Sequence, residues 1–487
     1  MKPKMQNDLL ALVKQRLEKC EDVIYQALRI HGSACTMIYI ESIVDNRMLQ
    51  ENIISPLIKE SAAVEEHFDS FIDRLDCGDM LSVPFERSSS ADYIANMIVT
   101  GKAAMIVEPL SESYLFDIVQ YQKRAVSESQ NEQVVNGPQE AFIEDINTNL
   151  SLLRHKIKHT DLKTIRYQIG DYSKTTVYMV YIDGLCKPEI VSQLDQKLSS
   201  ISIDGAFGVS TLSEQMKEAV VSPFPQFQYT ERPDSVAASL LEGRVGIMQD
   251  GTPSTLLVPV TLFSLLQSSE DYYHSFFSSS WIRLIRFLFA VISLLLPSLY
   301  VAITTFQPSI IPTDLLITIT ASRENIPFSA LMEALIMELT FEGLREAGTR
   351  IPKPVGQTIS IIGAIVIGQA AVEAGIVSNP MVIVVSITGI ASYIIPHFEL
   401  GLTFRLLRFP ILILGGTLGL IGVFAAAFLV YGHVASLKSF NTPYLQPVAP
   451  LVLSEWKDTL IRVPSMRMKN RPKSYASNNN IRRRDRS

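Results

Sequence analysis

Phe287–Thr304, FLFAVISLLLPSLYVAIT, decides the architecture of this chain. It carries no charge, and its length approaches the roughly 20 apolar residues with which a helix crosses a bilayer core of about 30 Å. Further apolar runs lie at Val355–Val377, Pro380–Pro396 and Ile411–Gly432. In hydrocarbon only a helix or a closed barrel satisfies its own backbone groups, and these runs lack the period-2 alternation of barrel strands. Residues 282–433 are therefore predicted to form an all-α polytopic transmembrane domain, and the residues before them an α/β soluble N-terminal region.

Over 487 residues the net charge of −6 averages two unlike halves. Residues 434–487 hold Lys457, Arg462, Arg467, Lys469, Arg471, Lys473, Arg482, Arg483, Arg484 and Arg486 and read as a basic C-terminal tail, solvated and disordered. Each such charge beside anionic lipid is worth about 1 kcal/mol. Without interleaved aromatics or a fold motif the tail does not point to nucleic acid. Cys20, Cys35, Cys77 and Cys186 show no CxxC spacing and suggest a reducing compartment. The N-terminal MKPKMQNDLLALVKQRLEKCEDVIYQALRI has no apolar core of the kind a signal peptide needs, so the soluble half is expected on the cytoplasmic side.

Met37–Ile43, MIYIESI, resembles Met179–Leu185, MVYIDGL, at an offset of 142 residues. Each copy predicts a buried strand, an acidic turn and a helix from about Arg47 or Pro188, the first with apolar Met48, Ile53 and Leu57. Two similar subdomains follow, at 1–126 and 140–222, separated by a polar linker at 127–139, SESQNEQVVNGPQ. The first adds a helix near Ala91–Val99 and strands near Ala103–Val107 and Tyr114–Val119. The second adds a helix at Leu150–Ile157 and strands near Thr164–Ile169 and Thr175–Tyr181. Residues 223–281, with a helix near Ser235–Glu242, read as a connecting region.

Arg283 and Arg286 before the first apolar run suit a cytoplasmic entry. Phe328–Leu344 is apolar but carries Glu333, Glu338 and Glu342, and Glu338, Glu342 and Glu346 share one helical face. Such a helix is either interfacial or a span whose acidic stripe meets water or a partner. Counting it makes five spans, with Arg345, Arg350, Lys353, Arg405 and Arg408 inside and the basic tail outside; omitting it makes four, with the tail inside. A cytoplasmic tail is the expectation.

Signatures of catalysis are absent from the sequence: there is no phosphate-binding glycine-lysine loop and no nucleophile elbow, so no enzyme and no cofactor are expected. His155 and His159 are spaced like metal ligands but sit in the basic RHKIKHTDLK, and no metal site is expected there. Glu41 and Asp183 read as strand-end turn residues. Gly416, Gly419 and Gly422 read as helix-packing glycines, and Gly415 and Gly419 form a GxxxG pair. Ser360, Ala364 and Gly368 recur every fourth residue, continued by Ala371 and Gly375. That face either packs within one protomer or repeats around an oligomer axis, with polar Gln357, Ser360, Gln369 and Glu373 towards a pore.

Pro223–Pro259, PFPQFQYTERPDSVAASLLEGRVGIMQDGTPSTLLVP, closely resembles the signature region of the A subunit of bacterial spore germinant receptors, the GerA family. The same likeness extends to PSLYVAITTF, Pro312–Leu316, the run from PFSALMEALIMELTFEGLREAG to IVIGQAAVEAG, and RFPIL, and covers about Ala34 to Pro464. The resemblance implies a multi-pass subunit of a nutrient-sensing complex in the spore inner membrane, with its N-terminal domain on the core side. It also implies a transporter-like B subunit and a lipoprotein C subunit as partners, a homo-oligomer and a ligand-gated ion path. Joined to the spacing, it makes Gln357, Ser360, Ala364, Gly368 and Glu373 the pore or gating candidates, and Glu231, Arg232 and Asp234 the coupling candidates. The alternative is a scaffold that assembles the complex without conducting ions.

Overall fold

The computed structural model describes residues 9–63, 68–77, 80–108, 110, 112–120, 132, 134–350, 368–476 and 481–482. They fall into two compact units, one of 1–218, 227–259 and 468–487 and one of 219–226 and 260–467.

In the first unit α1 (Leu9–Arg16) precedes the hairpin β1 (Val23–Ile30) and β2 (Ser33–Ile40). His31 and Gly32 turn it with φ of 45° and 78°, the left-handed pair that a two-residue hairpin requires. A helical stretch follows, its first turn capped by the Asp45 carboxylate, which accepts from the Met48 amide at 2.9 Å. It continues through Leu49–Ile54 into α2 (Ser55–Ala63), and α3 (Phe68–Asp76) comes next. Leu49, Ile53 and Leu57 are buried, whereas Met48, expected on that face, is exposed. The subdomain ends with β3 (Phe85–Ser88), α4 (Ala91–Val99), β4 (Ala103–Val107) and β5 (Ser113–Phe116).

The antiparallel sheet has the order β1-β2-β4-β5-β3. Alternation on its strands feeds two cores. Met37, Tyr39, Met105 and Val107 pack with Leu49, Ile53, Leu57 and Phe71 on one face. Ile38, Ile40, Ala104 and Ile106 pack with Val13, Ile94 and Ile98 on the other.

The second subdomain repeats this plan: α5 (Ile146–Lys156), β6 (Leu162–Ile169), β7 (Thr175–Ile182), α6 (Pro188–Ser200), α7 (Val209–Met216), β8 (Gln228–Thr230), α8 (Pro233–Leu241), β9 (Val245–Gln249) and β10 (Thr255–Val258). Its order is β6-β7-β9-β10-β8, strand for strand that of the first. The bounds of β2, α4, β4 and β5 each recur 142 residues later in β7, α8, β9 and β10. Residues 227–258 thus belong to the second sheet and not to a connecting region. Fully buried β9 lies between β7 and β10, and without it β7 would present an unpaired edge.

The second unit is helical: α9 (Phe276–Phe306), α10 (Thr313–Arg323), α11 (Ala330–Arg350), α12 (Gly368–Glu373), α13 (Asn379–Tyr393), α14 (Phe398–Leu418) and α15 (Leu420–Ser436). The 31 residues of α9 extend about 46 Å at 1.5 Å per residue. Among the described residues α9 is the one helix long and apolar enough to cross a membrane, and α13 and α15 are shorter apolar helices. The run Ile411–Gly432, expected as one span, is broken at Gly419. There φ is +65°, and a Cβ would meet Phe306 Cβ at 2.9 Å, so the position demands glycine and the chain turns between α14 and α15. Most of Val355–Val377 lies outside the described residues.

Part of the segment expected to be a solvated tail is instead packed; residues 477–480 and 483–487 lie outside the described residues. In the helical unit Phe440, Tyr444 and Leu445 are buried, and the small hairpin β11 (Lys438–Ser439) and β12 (Thr442–Pro443) follows α15. Arg462 of this segment donates to the carbonyls of Asp271 and His274, both at 2.9 Å.

Candidate functional site: a buried charge ladder

The helical unit reverses the usual distribution of polarity. Leu284, Leu288, Ile383, Ile387, Ile390, Leu406, Phe424, Phe428 and Leu429 are exposed, while Arg283, Arg286, Glu333, Glu338, Arg405 and Arg408 are buried.

On α11 the acidic residues face arginines from neighbouring helices. Glu333 is fully buried; its carboxylate accepts from Arg323 Nε at 3.1 Å and from the Ser378 amide and hydroxyl at 2.9 and 2.8 Å. Glu338 accepts from Arg408 Nη1 at 2.6 Å, and Arg408 Nε donates to the Ser293 carbonyl of α9 at 2.7 Å. Glu342 accepts from Arg405 Nη1 at 2.6 Å and from Arg345 Nη1 at 3.3 Å. Rising numbers on α11 meet falling numbers on α14, so these helices run antiparallel along the ladder. Arg405 and Arg408, expected in a loop that sets membrane orientation, lie inside α14 as the acids' partners. Their i, i+3 spacing matching the i, i+4 spacing of Glu338 and Glu342 is the signal that sequence reasoning passed over.

The Glu338–Arg408 pair is not saturated: Glu338 Oε1 and Arg408 Nη2 are buried without a partner among the described residues. A second cluster closes the start of α9. Asp271 accepts from Arg283 Nε at 2.9 Å and from both Arg286 terminal nitrogens at 2.9 and 3.1 Å, and Arg283 Nη1 reaches Asp458 at 2.8 Å. Arg283 and Arg286 thus act as internal anchors.

Of the pore candidates, Gln357, Ser360 and Ala364 lie outside the described residues. Gly368 is buried, with room for a Cβ at 3.7 Å from Val382 of α13, whereas Glu373 is exposed and accepts from Gln369 Nε2 at 2.9 Å. Of the coupling candidates, Glu231 and Arg232 lie between β8 and α8 of the second subdomain, and Asp234 lies in the first turn of α8. Buried Arg232 donates to Asp234 at 2.8 Å and to the Pro138 carbonyl at 2.9 Å, and the Glu231 carbonyl accepts from the Phe142 amide at 2.7 Å. Beside them Thr230 donates to Glu132 at 2.7 Å. Burial pushes the Glu132 carboxyl up to about 7, against the opposing pull of Thr230 and Arg232.

One pair in the sheet unit had no signal in the sequence reading. Asp22 accepts from Arg154 Nε and Nη2, both at 2.8 Å, and from the Thr164 hydroxyl at 2.7 Å. It joins the two subdomains, as does the backbone pairing of Glu21 N with the Thr164 carbonyl at 2.9 Å. Burial opposes ionisation of Asp22, but the Arg154 charge and the hydrogen bonds win and hold it below the usual carboxylate range.

Comparison with known proteins bears on all these elements together. Residues 11–474 match the family model described as Bacillus/Clostridium GerA spore germination protein. The chain is 40% identical over 464 residues to the "Uncharacterized membrane protein YfkQ" of Bacillus subtilis (strain 168), covering 95% of this chain and 90% of that protein. It is 37% identical over 474 residues to Spore germination protein A1 of the same organism, covering 97% and 96%. Among solved structures, the N-terminal domain of the A subunit of the Bacillus megaterium spore germinant receptor GerK3 aligns at 27% identity with a TM-score of 0.40, covering 51% of this chain and 92% of that one.

Proposed function

This chain belongs to the GerA family of spore germination proteins, and from that premise we propose that it is the A-type subunit of a nutrient-responsive germinant receptor, converting germinant binding into ion release as an oligomeric ligand-gated channel. The observation that carries this reading is the inverted polarity of the helical unit, apolar outside and charged within. Ionisable groups in a lipid-embedded bundle turn inward and pair, because exposing one to hydrocarbon costs several kcal/mol. On this reading residues 282–433 form a multi-pass domain of the spore inner membrane, with the sheet unit on the core side.

A transporter-like B subunit binds the nutrient and, with a lipoprotein C subunit, shifts a closed-to-open equilibrium of the helices. Moving such a switch from 1:99 to 99:1 takes about 5.5 kcal/mol of differential binding, which favours several subunits acting together. Cations leave along a path lined by Gln357, Ser360, Ala364, Gly368 and Glu373. The Gln369–Glu373 pair supplies its polar exposed end, and the ladder of α11 on α14 holds the closed arrangement.

The test is cation flux through the purified chain in liposomes, alone and with its B- and C-type partners, with and without a nutrient mixture, beside Gly368→Trp and Glu338→Gln. Nutrient-dependent flux altered by both substitutions is expected. A tight membrane around an assembled, nutrient-binding complex would leave the chain a scaffold.

A further inference from the structure

We infer that Arg244 and the returning C-terminal segment 471–476 form a clasp through which the sheet unit is coupled to the helical unit. This inference rests on the receptor reading for its functional consequence. The duplicated subdomain supplies an internal control, because β7, α8, β9 and β10 each lie 142 residues after β2, α4, β4 and β5.

In the first copy the chain runs on from β5 and covers its own domain. Val119 makes an antiparallel bridge to Val44, and a Cβ on Gly101 would meet Val119 Cγ2 at 3.0 Å. The counterparts of Val44 and Gly101 are Cys186 and Gly243. In the second copy the chain following β10 does not fill this place, because it passes into the helical unit after Pro259. The chain's far end fills it instead. Ala476 bridges Cys186, and a Cβ on Gly243 would meet Ala476 Cα and the Tyr475 carbonyl, both at 3.0 Å. Lys187 Nζ donates to the Ser474 carbonyl at 2.7 Å, Arg471 Nε donates to the Leu241 carbonyl at 2.8 Å, and Arg482 pairs with Glu242 at 2.8 Å. The C-terminal segment therefore completes the second subdomain.

The neighbouring side chain differs between copies in a way that fits this role. In the first copy Lys102 donates to Glu86 at 2.9 Å. Their counterparts are Arg244 and Gln228, again bonded, at 2.8 Å. The guanidinium has donors to spare, and they are used: Nε donates to the Pro259 carbonyl at 2.9 Å, while the group lies over the Tyr475 ring at 5.7 Å. The chain passes between the two units after residues 218, 226, 259 and 467. Buried Arg244 thus holds Gln228 just after the second passage, Pro259 at the third and Tyr475 shortly after the fourth. A lysine is a point charge without this fork.

The test compares full-length Arg244→Gln and Arg244→Lys with Lys102→Gln, the same position in the copy that carries no such passage. In spores holding equal amounts of the protein, Arg244→Gln is expected to raise the nutrient concentration for half-maximal germination at least about fivefold, the lower end of coupling between sites. Arg244→Lys should restore part of the response, and Lys102→Gln should stay within about twofold of wild type. In the purified chain, Arg244→Gln should speed amide exchange in residues 227–230, 255–258 and 471–476 together. An unchanged dose response, or an equal loss from Lys102→Gln at matched protein levels, overturns the coupling role; wild-type exchange in those three segments overturns the clasp. Absence of any germination defect on deleting the whole chain would instead strike the receptor reading, and the exchange experiment still decides the clasp. Should Arg244→Gln not accumulate, Arg244→Lys carries both readouts.

Discussion

Two buried ion pairs, Asp22–Arg154 of the sheet unit and Glu338–Arg408 of the helical unit, solve the burial of charge in opposite ways. In the sheet unit Asp22 and Arg154 meet in a bidentate pair, with the Thr164 hydroxyl as a further donor to the carboxylate. In the helical unit the Glu338–Arg408 pair is made through one nitrogen, with Glu338 Oε1 and Arg408 Nη2 unpartnered among the described residues, and it stands in a row with three more acid–arginine contacts. A pair whose hydrogen-bonding capacity is well used is a fastening, since any displacement loses several charge-assisted bonds at once. A pair with capacity to spare, standing in a row of such contacts, can exchange partners at lower cost, which suits a bundle proposed to switch.

That contrast can be broken by removing one acid at a time. Asp22→Ala strands Arg154 in the core and should cost about 3–5 kcal/mol, read as a lowered denaturation midpoint of the sheet unit. Glu338→Ala should destabilise the helical unit by less, because Arg408 keeps its bond to the Ser293 carbonyl; a larger loss than for Asp22→Ala would reverse the contrast between the two pairs.

Proton linkage sharpens it next, with two carboxyls whose pKa values are shifted in opposite directions. Glu132, raised to about 7, binds its proton more tightly in the folded chain, so its contribution is complete below pH 4.5 and is lost as pH rises through 7. The swing is roughly 3 kcal/mol at 1.36 kcal/mol per pH unit, and Glu132→Gln should abolish that part of the stability–pH curve. Asp22 is depressed, so its contribution is complete above the ordinary carboxylate range and is lost as pH falls through its lowered pKa. Unfolding midpoints of wild type and Glu132→Gln between pH 4 and 8 test the first, and Asp22→Asn at low pH tests the second.

The smallest expected effect lies at a helix end. The Asp145 carboxylate caps α5 by accepting from the Thr148 amide at 2.7 Å, and Asp145→Ala should cost about 1 kcal/mol in thermal unfolding of the sheet unit. A loss as large as that of Asp22→Ala would mean that local capping, and not the pair between subdomains, sets the unit's stability.

Several elements were legible in the residues alone. Ala91–Val99 is a helix at the bounds its pattern predicts, and β4 and the β2/β7 pair stand where buried apolar strands are expected. The 142-residue offset glimpsed in seven residues extends through β2, α4, β4 and β5. The hairpin turn is what breaks the offset: β1 and β2 are joined by two residues, β6 and β7 by five. Other features were out of reach. Residues 223–259 look like a connector because they are rich in proline and glycine turns, yet they contribute three strands. Arg405 and Arg408 look like loop charges until α14 is seen to carry them to α11.

Periodicity, capping and apolar length act between residues a few positions apart, and so the helices, the strand seeds, the apolar runs and the family likeness could be read from the chain as written. The rest rests on partners that meet only when the chain has folded: Glu342 and Arg405 are 63 residues apart, Asp22 and Arg154 are 132, and Lys187 and Ser474 are 287. A charge or a turn has the same local appearance whether water or a distant side chain completes it. Packing alone decided that the basic end of the chain returns to finish the second subdomain and that the acidic helix is neutralised from within.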